Sequence, residues 1–482
     1  MFKVKSYKKH VNFERYPAFS LTINNWDDYG TKCTFYLSYH RSDDEITKIG
    51  EVKILQKSSQ DTVLPDDFHE LSDEFISLGQ DVEFYEELLR LAGDELSRDV
   101  LNSLNDIAWS PNKAEPFEGD SAYRNALFRE NSAGNAFRFG RAIVLRESYD
   151  EDFSFTYVAN IDGADGPFEV VVDFDETDDL PGRIVGVIGR NAVGKTQLMG
   201  ALAKDLVQVG RVSQKSVDDK EKRFKGRRPI FNRVITVSYS AFDKFIRPKN
   251  PQGSYFYCGI RSDNGALSRT ALVENYKKNL HKISELGRRG DWVSFMSEVL
   301  DNDSEVFVNN LNNEIGDELN DRALSLLSSG QSILAHFVTA LVAKIQKNTL
   351  VLFDEPETHL HPNAVAHLFD VLNHILKRYG SFAIIATHSP IVLQEIPRKR
   401  VILLTREGNS TISSGMSFET FGENVSELTR HVFDTASISN HYKKVLKRLS
   451  RNRTFDEVNA LFDQGLSFNA KSYLLAQYEG LE

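Results

Sequence analysis

A glycine-rich loop, set between an apolar run and an amphipathic segment, constrains the fold of this chain more than any other stretch. The run from Arg183 to Gly189 has the composition of a buried strand, and an amphipathic helix is predicted to continue to about Val209. Between them lies the pattern GxxxxGK[ST], in the strand–loop–helix context that phosphate binding requires. The residues of this loop are Gly189, Arg190, Asn191, Ala192, Val193, Gly194, Lys195 and Thr196.

The residue types of the loop suit a nucleotide phosphate site. Its glycines let backbone N–H groups wrap the phosphates, and the helix N-terminus behind the loop adds a favourable dipole. Lys195 is expected to reach the β- and γ-phosphate oxygens, and the Thr196 hydroxyl is expected to ligate Mg²⁺. The loop thus predicts an α/β lobe with this site at the end of a strand.

A second stretch carries two adjacent carboxylates. The apolar run Thr349–Phe353 leads into Asp354 and Glu355, and Pro356 stops the strand directly after them. A short apolar run of this kind is typical of a buried parallel strand, and ligands of open α/β sheets bind at the carboxyl edge. The alternative is a buried strand followed by a solvated acidic turn. The order of the motifs along the chain favours the phosphate site.

Two shorter stretches fit the same order. Leu327–Gln331 (LSSGQ) begins a helix shortly before the acidic strand, where a simple N-cap is the competing interpretation. The strand Phe382–Thr387 ends at His388. A lone histidine at a strand end is usually structural, but this one falls where a γ-phosphate would lie, and we expect it to be functional.

Composition limits the class of protein. The chain has 482 residues, of which 41% are hydrophobic and 26% are charged, as in soluble proteins of two to four domains. The sequence contains neither a membrane-length apolar window nor a signal-peptide pattern, and the two cysteines, Cys33 and Cys258, are too few for a disulfide framework. We therefore expect a cytoplasmic protein without a membrane partner. The net charge of −11 means that nucleic-acid contact would depend on local basic patches.

Patterning along the chain predicts an antiparallel meander in residues 18–56, helices at 84–91 and 96–109, and short strands around 142–145 and 168–172. The basic stretch 211–228 is predicted to be a flexible linker or, alternatively, a loop that contacts nucleic acid. A last strand is expected at 400–404. Beyond it, His441–Arg453 contains six Lys and Arg residues and no acid, which indicates either a positive patch or a solvated helix face.

With GRNAVGKT, LSSGQ, FDEP and ATHS in this order, the chain resembles the ABC-type ATPase superfamily over residues 165–405. That resemblance implies an α/β ATPase head, with a mixed sheet flanked by helices, an inserted helical lobe and a helical C-terminal extension. The expected segments are an N-terminal α+β extension (1–140), the first part of the ATPase lobe (141–265), the helical lobe (266–332), the second part of the ATPase lobe (333–405) and a helical C-terminal segment (406–482).

The resemblance also implies roles for the matching residues, with ATP and Mg²⁺ as cofactors. Asp354 would orient Mg²⁺ together with Thr196, Glu355 would polarise the attacking water, and His388 would hydrogen-bond the γ-phosphate. Head-to-tail pairing of subunits would bring the signature loop of one chain to the nucleotide of the other. The residues of that loop are Ser328, Ser329, Gly330 and Gln331.

The sequence departs from the superfamily pattern at the lid position. No clear glutamine follows the strand Val234–Ser238, and Ser238, Ser240 or Asp243 are the candidates to replace it. The third signature residue, Ser329, stands where glycine is usual, which is a milder change.

Within the superfamily, ETHLHP after the acidic strand resembles the overcoming-lysogenization-defect and RecF-like branches. The pattern is most similar to the ATPase subunits of Septu anti-phage defence systems (PtuA), whose partner is a separate HNH nuclease. This resemblance implies an oligomeric ATPase that senses and regulates a nuclease. The alternatives are the ATPase of a defence system with a Toprim effector, a RecF- or SMC-type ATPase acting directly on DNA, and a transporter subunit. ETHLHP, the long N-terminal extension and the missing lid glutamine argue against the transporter.

Overall fold

The computed structural model describes residues 1–6, 9–147, 152–175, 180–207, 214–239, 254–259, 261–262, 265–266, 269–300, 327–358, 360–433 and 441–479. The chain divides into two compact units, Met1–Glu423 and Asn424–Glu482. Within the described residues, no helix is both long and apolar enough to cross a membrane. The finer division into five segments stays a prediction.

The strands are β1 (Phe2–Lys5), β2 (Ala18–Asn24), β3 (Thr34–His40), β4 (Ile46–Gln56), β5 (Asp67–Phe68), β6 (Phe75–Gly79), β7 (Phe155–Ala159), β8 (Phe168–Val172), β9 (Ile184–Gly189), β10 (Phe224–Lys225), β11 (Arg233–Ser238), β12 (Tyr255–Gly259), β13 (Arg261–Ser262), β14 (Gly265–Ala266), β15 (Thr349–Asp354), β16 (Phe382–Thr387), β17 (Val401–Glu407) and β18 (Ser410–Gly415). The helices are α1 (Val82–Ser103), α2 (Asn131–Val144), α3 (Lys195–Leu206), α4 (Gln214–Glu221), α5 (Arg269–Glu285), α6 (Arg289–Val299), α7 (Ser329–Lys344), α8 (Pro362–Arg378), α9 (Pro390–Gln394), α10 (Val425–Phe433), α11 (His441–Leu449), α12 (Phe455–Asn459) and α13 (Phe468–Glu479). Short 3₁₀ turns span Pro111–Phe117 and Arg398–Arg400, and a π-helical turn spans Tyr123–Leu127.

The N-terminal part of the first unit is built on a six-stranded sheet in the order β5-β1-β2-β3-β4-β6. Strands β2, β3 and β4 pair in antiparallel fashion, which confirms the predicted meander. Helices α1 and α2 pack on this sheet through an apolar core. The prediction of a strand at residues 142–145 is wrong. Most of these residues form the last turn of α2, where Ile143 and Val144 face the core.

The second sheet of the first unit has seven strands in the order β12-β11-β15-β16-β9-β17-β18. All neighbours in it are parallel except the final pair, β17 and β18. Strands β9, β15 and β16 are buried along their whole length, as their continuous apolar runs predict. The smaller antiparallel sheet β10-β7-β8 shares their core. The predicted α/β fold class, a mixed sheet flanked by helices with a P-loop at the end of one strand, is confirmed.

Two connecting segments differ from the predictions. The stretch 211–228, predicted to be a linker, contains α4 and β10, and β10 pairs with β7. Burial of Phe224 on that pairing explains why the stretch is ordered despite its basic composition. The strand predicted at 400–404 extends to Glu407 and returns as β18, so the segment predicted to be helical from residue 406 begins with a β-hairpin.

Helices α5, α6 and α7 pack together as the described part of the helical lobe, and α6 also contacts α8. The Trp292 indole N–H donates to the Thr339 hydroxyl at 2.9 Å in the centre of this packing. Arg378 on α8 donates to Asp291 on α6. The second unit has its own small core, formed by Leu446, Val458, Leu466, Ala470 and Leu474.

Candidate functional site

The phosphate loop takes a conformation that depends on its glycines. Gly194 has φ of +101°, and a Cβ atom there would lie 2.3 Å from the Ile161 side chain. A Cβ atom on Gly189 would lie 2.4 Å from the carbonyl oxygen of Leu404. Ala192 also has positive φ, at +66°. Alternating left-handed residues of this kind turn successive N–H groups towards one point, which creates a concavity suited to an anion.

Lys195 lies under this loop as the first residue of α3. Its ammonium group donates to the carbonyl oxygens of Gly189 and Arg190, at 2.9 and 3.1 Å, and its side chain is buried. Burial lowers the pKa of Lys195, whereas the nearby carboxylates of Glu355, Asp354 and Glu357 oppose that shift. The lysine is thus held at the loop as a positive charge close to an acidic cluster.

Thr196 and Asp354 come together although they are distant in sequence. The Thr196 hydroxyl donates to Asp354 Oδ2 at 2.8 Å, and Asp354 is the last residue of β15. A hydroxyl and a carboxylate side by side are the oxygen ligands that Mg²⁺ prefers next to a nucleotide phosphate. The predicted pairing of these two residues at one metal position therefore fits the geometry.

Glu355 and His388 form a pair at the ends of neighbouring strands. The Glu355 N–H donates to the Ala386 carbonyl at 2.8 Å, and Glu355 has φ of +50°, so the chain leaves the strand sharply at this residue. His388 Nδ1 lies 3.4 Å from Glu355 Oε1. The interaction with His388 is the main cause that lowers the pKa of Glu355, and the same interaction raises the pKa of His388.

Glu357 belongs to the same cluster and was not among the predicted site residues. Its Oε1 accepts hydrogen bonds from the Thr387 hydroxyl at 2.7 Å and the His388 N–H at 3.0 Å, and it lies 3.3 Å from His388 Nδ1. Glu357 therefore holds the turn after β16 and the histidine on it. A carboxylate two residues beyond Glu355 is the only signal in the sequence, and it does not reveal a contact with residue 388.

The signature stretch caps its own helix. The Ser328 hydroxyl accepts from the Gln331 N–H at 3.3 Å, and the Gln331 side chain accepts from the Ser328 N–H at 3.0 Å. This reciprocal capping box confirms the N-cap interpretation. Both hydrogen bonds stay within the first turn of α7. A Cβ atom on Gly330 would lie 3.8 Å from the Leu360 side chain, which is an ordinary van der Waals contact. The Ser329 side chain is outside the described part, and the role of the stretch towards a second subunit stays a prediction.

Of the three lid candidates, Ser240 and Asp243 lie outside the described residues. Ser238 ends β11 directly beside Asp354 in the parallel register. Its side chain is fully buried, and its hydroxyl has no hydrogen-bond partner among the described residues. Side chains of registered neighbours project to the same face of a sheet, so Ser238 lies on the same side of the sheet as the Asp354 carboxylate.

Three comparisons show which known proteins the chain is similar to. Residues 252–394 match a family model described as "AAA domain, putative AbiEii toxin, Type IV TA system". Over nearly its whole length the chain is similar to Protein ea59 of Escherichia phage lambda, with 28% identity over 492 residues that cover 90% of this chain and 89% of the relative. A 72-residue stretch is 38% identical to the lipoprotein-releasing system ATP-binding protein LolD of Neorickettsia sennetsu, covering 15% of this chain and 31% of that protein.

Solved structures that align with the chain include ATPase domains of two kinds. CbiO1 of Clostridium perfringens, part of an ABC transporter complex, has 15% identity and a TM-score of 0.31, and the alignment covers 65% of this chain and 99% of that chain. The SMC head domain from Thermotoga maritima has 12% identity and a TM-score of 0.29, and the alignment covers 55% of this chain and 98% of that domain. The loop, the strand order and the residues gathered at the carboxyl edge of the sheet have the arrangement of a P-loop nucleotide site on a parallel α/β sheet.

Proposed function

We propose that the chain is an ATP-hydrolysing switch. The observation that carries this proposal is the convergence of Lys195, Thr196, Asp354, Glu355 and His388 at one edge of the central sheet. These residues come from three different strand ends and make direct contacts there, as the Thr196–Asp354 and Glu355–His388 distances show. A solvated acidic turn would not require such contacts.

Each side chain has a task that follows from its surroundings. Lys195 and the loop N–H groups bind phosphate oxygens, and Thr196 and Asp354 hold the cation position. Bound Mg²⁺ supplies charge neutralisation at the phosphates. Glu355 is kept ionised by His388, so its carboxylate can orient and polarise a water molecule. Positioning and electrostatic stabilisation are the main contributions of a protein to phosphoryl transfer.

The proposal is tested by measuring ATP binding and turnover separately. Lys195→Ala is expected to lose ATP affinity because the contact to the β- and γ-phosphates is missing. The exposed lysine Lys57 provides a matched control, and Lys57→Ala should bind ATP as the wild type does. If Lys195→Ala binds and turns over ATP normally, the loop is not the nucleotide site.

We further propose that two chains pair head to tail, in dimers or larger homo-oligomers, with Ser328 to Gln331 of one chain reaching the nucleotide of the other. The exposure of Ser328 at the free N-terminus of α7 supports this arrangement. A helix N-terminus favours a negatively charged phosphate. Assembly would then depend on ATP.

The proposed task of the assembled ATPase is to sense infection and regulate a separate nuclease, of the HNH type as in Septu systems, in the bacterial cytoplasm. The family description, which names a toxin of a toxin–antitoxin system, and the phage-encoded relative are compatible with conflict between bacteria and phages. Co-expression with the product of the adjacent reading frame tests this: ATP-dependent cleavage of plasmid DNA should need both proteins. An adjacent Toprim protein would favour the alternative effector, and cleavage indifferent to the ATPase would contradict regulation.

A second candidate function is direct action on DNA, as in RecF- or SMC-type ATPases. It is favoured by α11, on which Lys444, Lys447 and Arg448 are exposed, while the Lys443 ammonium lies 5.5 Å from the centre of the Tyr473 ring. Positive charge on one helix face can follow a phosphate backbone. Each phosphate contact makes the slope of the logarithm of the DNA-binding constant against the logarithm of the salt concentration more negative by about 0.9.

Charge reversal of α11 distinguishes the two candidates. Changing Lys443, Lys444, Lys447 and Arg448 to glutamate should weaken duplex binding and flatten its salt dependence if the chain clamps DNA. The matched control reverses four charges that are exposed in the first unit, Lys9, Arg15, Arg41 and Lys57. Equal binding by both variants, or no salt-dependent binding by the wild type, would count against the DNA candidate.

A further inference from the structure

A cavity of about 250 Å³ lies within the first unit, away from the phosphate loop. Its walls come from the π-helical turn Tyr123–Leu127, from α2, from the last residue of α3 and from the segment around Arg228. Liquid water occupies about 30 Å³ per molecule, so the cavity has room for about eight waters or one small organic molecule.

Aromatic side chains form one side of the cavity. The Tyr123 and Phe128 rings meet edge to face with their centres 5.1 Å apart, and Phe128 and Phe137 do so at 5.4 Å. Burial raises the pKa of Tyr123 to about 12, so the phenol stays neutral at physiological pH. Such a wall favours a planar aromatic ring, which can add further offset or edge contacts.

Two guanidinium groups line the other parts of the cavity. Arg228 is held by Glu221, to which its Nε donates at 2.7 Å, and by the Asp205 carbonyl at 3.2 Å. Arg124 Nη1 donates to the Glu118 carbonyl at 2.9 Å, whereas its buried Nε has no hydrogen-bond partner among the described residues. The Arg124 guanidinium as a whole has a carbonyl but no carboxylate partner among the described residues, and an anionic ligand in the cavity can supply one.

Glu130, the carboxylate among the described residues of the cavity wall, is engaged elsewhere. Glu130 accepts a hydrogen bond from the Ser254 hydroxyl at 3.0 Å, and its Oε1 lies 3.8 Å from Arg129 Nε. Burial raises the pKa of Glu130, and the neighbouring Ser254, Lys53 and Arg129 oppose that shift. Arg228 is paired with Glu221, and Glu130 lies beside Arg129. Arg124 therefore supplies the positive charge in the cavity wall that has no carboxylate partner among the described residues.

We propose that this cavity is a binding site for a small planar aromatic molecule that carries one anionic group, with the ring against Tyr123, Phe128 and Phe137 and the anion at Arg124. A nucleoside monophosphate and an aromatic carboxylate share this chemistry. The site is separate from the ATP site and does not depend on hydrolysis by this chain.

Calorimetric titration of the Lys195→Ala chain tests the site without nucleotide binding at the phosphate loop. The probes are 5′-AMP, 5′-UMP and indole-3-carboxylate. Ribose 5-phosphate lacks the aromatic ring, and indole lacks the anion. We expect one-to-one binding of at least one aromatic anion and weaker binding of both control compounds. Whether a nucleotide or the carboxylate binds identifies the source of the anion.

Two further substitutions in the same background place the binding in this cavity. Arg124→Gln should weaken it about ten- to a hundredfold, the effect of removing a charged hydrogen bond, and Val217→Phe should weaken it by filling the space. Arg41→Gln, at an exposed arginine remote in sequence, is the matched control and should bind as the parent does. Thermal melting without probe establishes that each variant folds. Binding of none of the aromatic anions, or equal affinity of Arg124→Gln and Arg41→Gln, would overturn the proposal.

Discussion

Glu357 belongs to the candidate site although no sequence motif predicts it there. Its carboxylate makes contacts with the hydroxyl, the backbone and the ring of two consecutive residues, Thr387 and His388. Thr387 in turn accepts a hydrogen bond from the Ser389 N–H at 2.9 Å. One carboxylate therefore organises the turn that follows β16, and its charge acts on His388 together with Glu355.

Replacing Glu357 by glutamine should change the pH dependence of ATP turnover. Contact with Glu355 and Glu357 raises the pKa of His388, so the protonated imidazole persists to higher pH than that of a free histidine. Stabilisation from this contact is complete below the ordinary histidine pKa and is lost as the pH rises through the raised one. Removing the Glu357 charge lowers that pKa, and the alkaline limb of turnover should move to lower pH.

The measurement is kcat against pH for the wild type, Glu357→Gln and Glu357→Ala. Glutamine keeps an acceptor for the Thr387 hydroxyl and the His388 N–H, so it should retain more activity than alanine. Glu147→Gln, at an exposed glutamate, is the control and should leave the profile unchanged. Identical profiles for all variants would mean that Glu357 does not act on His388.

At the scale of elements, the strands that build the site follow directly from sequence. β9, β15 and β16 are continuous apolar runs, and a run of that kind has few alternatives to a buried strand. The contacts of Glu357 could not be predicted in this way, because they depend on how two loops about thirty residues apart are placed. The helix at Ala142 was missed because its Ile-Val-Leu run is β-branched in part, and packing on α1 decides its conformation.

The phosphate loop should tolerate no side chain at Gly194. Gly194→Ala introduces a Cβ at positive φ and against Ile161, so the loop must shift and its N–H groups lose their common direction. We expect ATP affinity to fall at least about tenfold, which corresponds to about 1.4 kcal/mol. Gly119→Ala is the matched control, since a Cβ there meets no atom within 4 Å. Titration with a fluorescent ATP analogue measures both, and equal affinities would contradict the proposed loop geometry.

Helix α2 joins the N-terminal sheet to the part of the first unit that holds the seven-stranded sheet, through asparagine side chains. The Asn131 amide donates to the carbonyls of Leu206, the last residue of α3, and Phe231, both at 3.0 Å. Asn135 donates to the Ile230 carbonyl at 2.9 Å. These links satisfy backbone groups at the end of the helix that begins with Lys195.

Asn131→Ala should therefore destabilise the first unit. Two carbonyl groups lose a buried donor, and an unsatisfied buried group costs about 1–3 kcal/mol. We expect a loss of about 2–4 kcal/mol in the free energy of unfolding, read from chemical denaturation of the first unit. Asn452→Ala, at an exposed asparagine of the second unit, should change stability little. A neutral Asn131→Ala would mean that these hydrogen bonds do not hold the two parts together.

For the whole molecule, the proposed site is complete only when two chains associate. Ser328→Arg places a bulky cation at the exposed N-terminus of α7, where it would oppose the helix dipole and block a partner's phosphates. The variant should bind ATP normally, but two copies of it should not associate when ATP is present. Sedimentation velocity measures that association. Ser42→Arg is a control at another exposed loop serine. If Ser328→Arg associates like the wild type, the signature stretch is not part of the interface.

ATP turnover by Glu355→Gln tests most directly the proposal that this chain hydrolyses ATP with Glu355 polarising the attacking water. Glutamine keeps the size of the side chain but removes the charge that polarises water. The wild type should bind and hydrolyse ATP in a Mg²⁺-dependent reaction. Glu355→Gln should bind ATP with similar affinity, hydrolyse it much more slowly and accumulate as the associated form. Hydrolysis by Glu355→Gln at the wild-type rate, or failure of the wild type to bind ATP, would contradict the account.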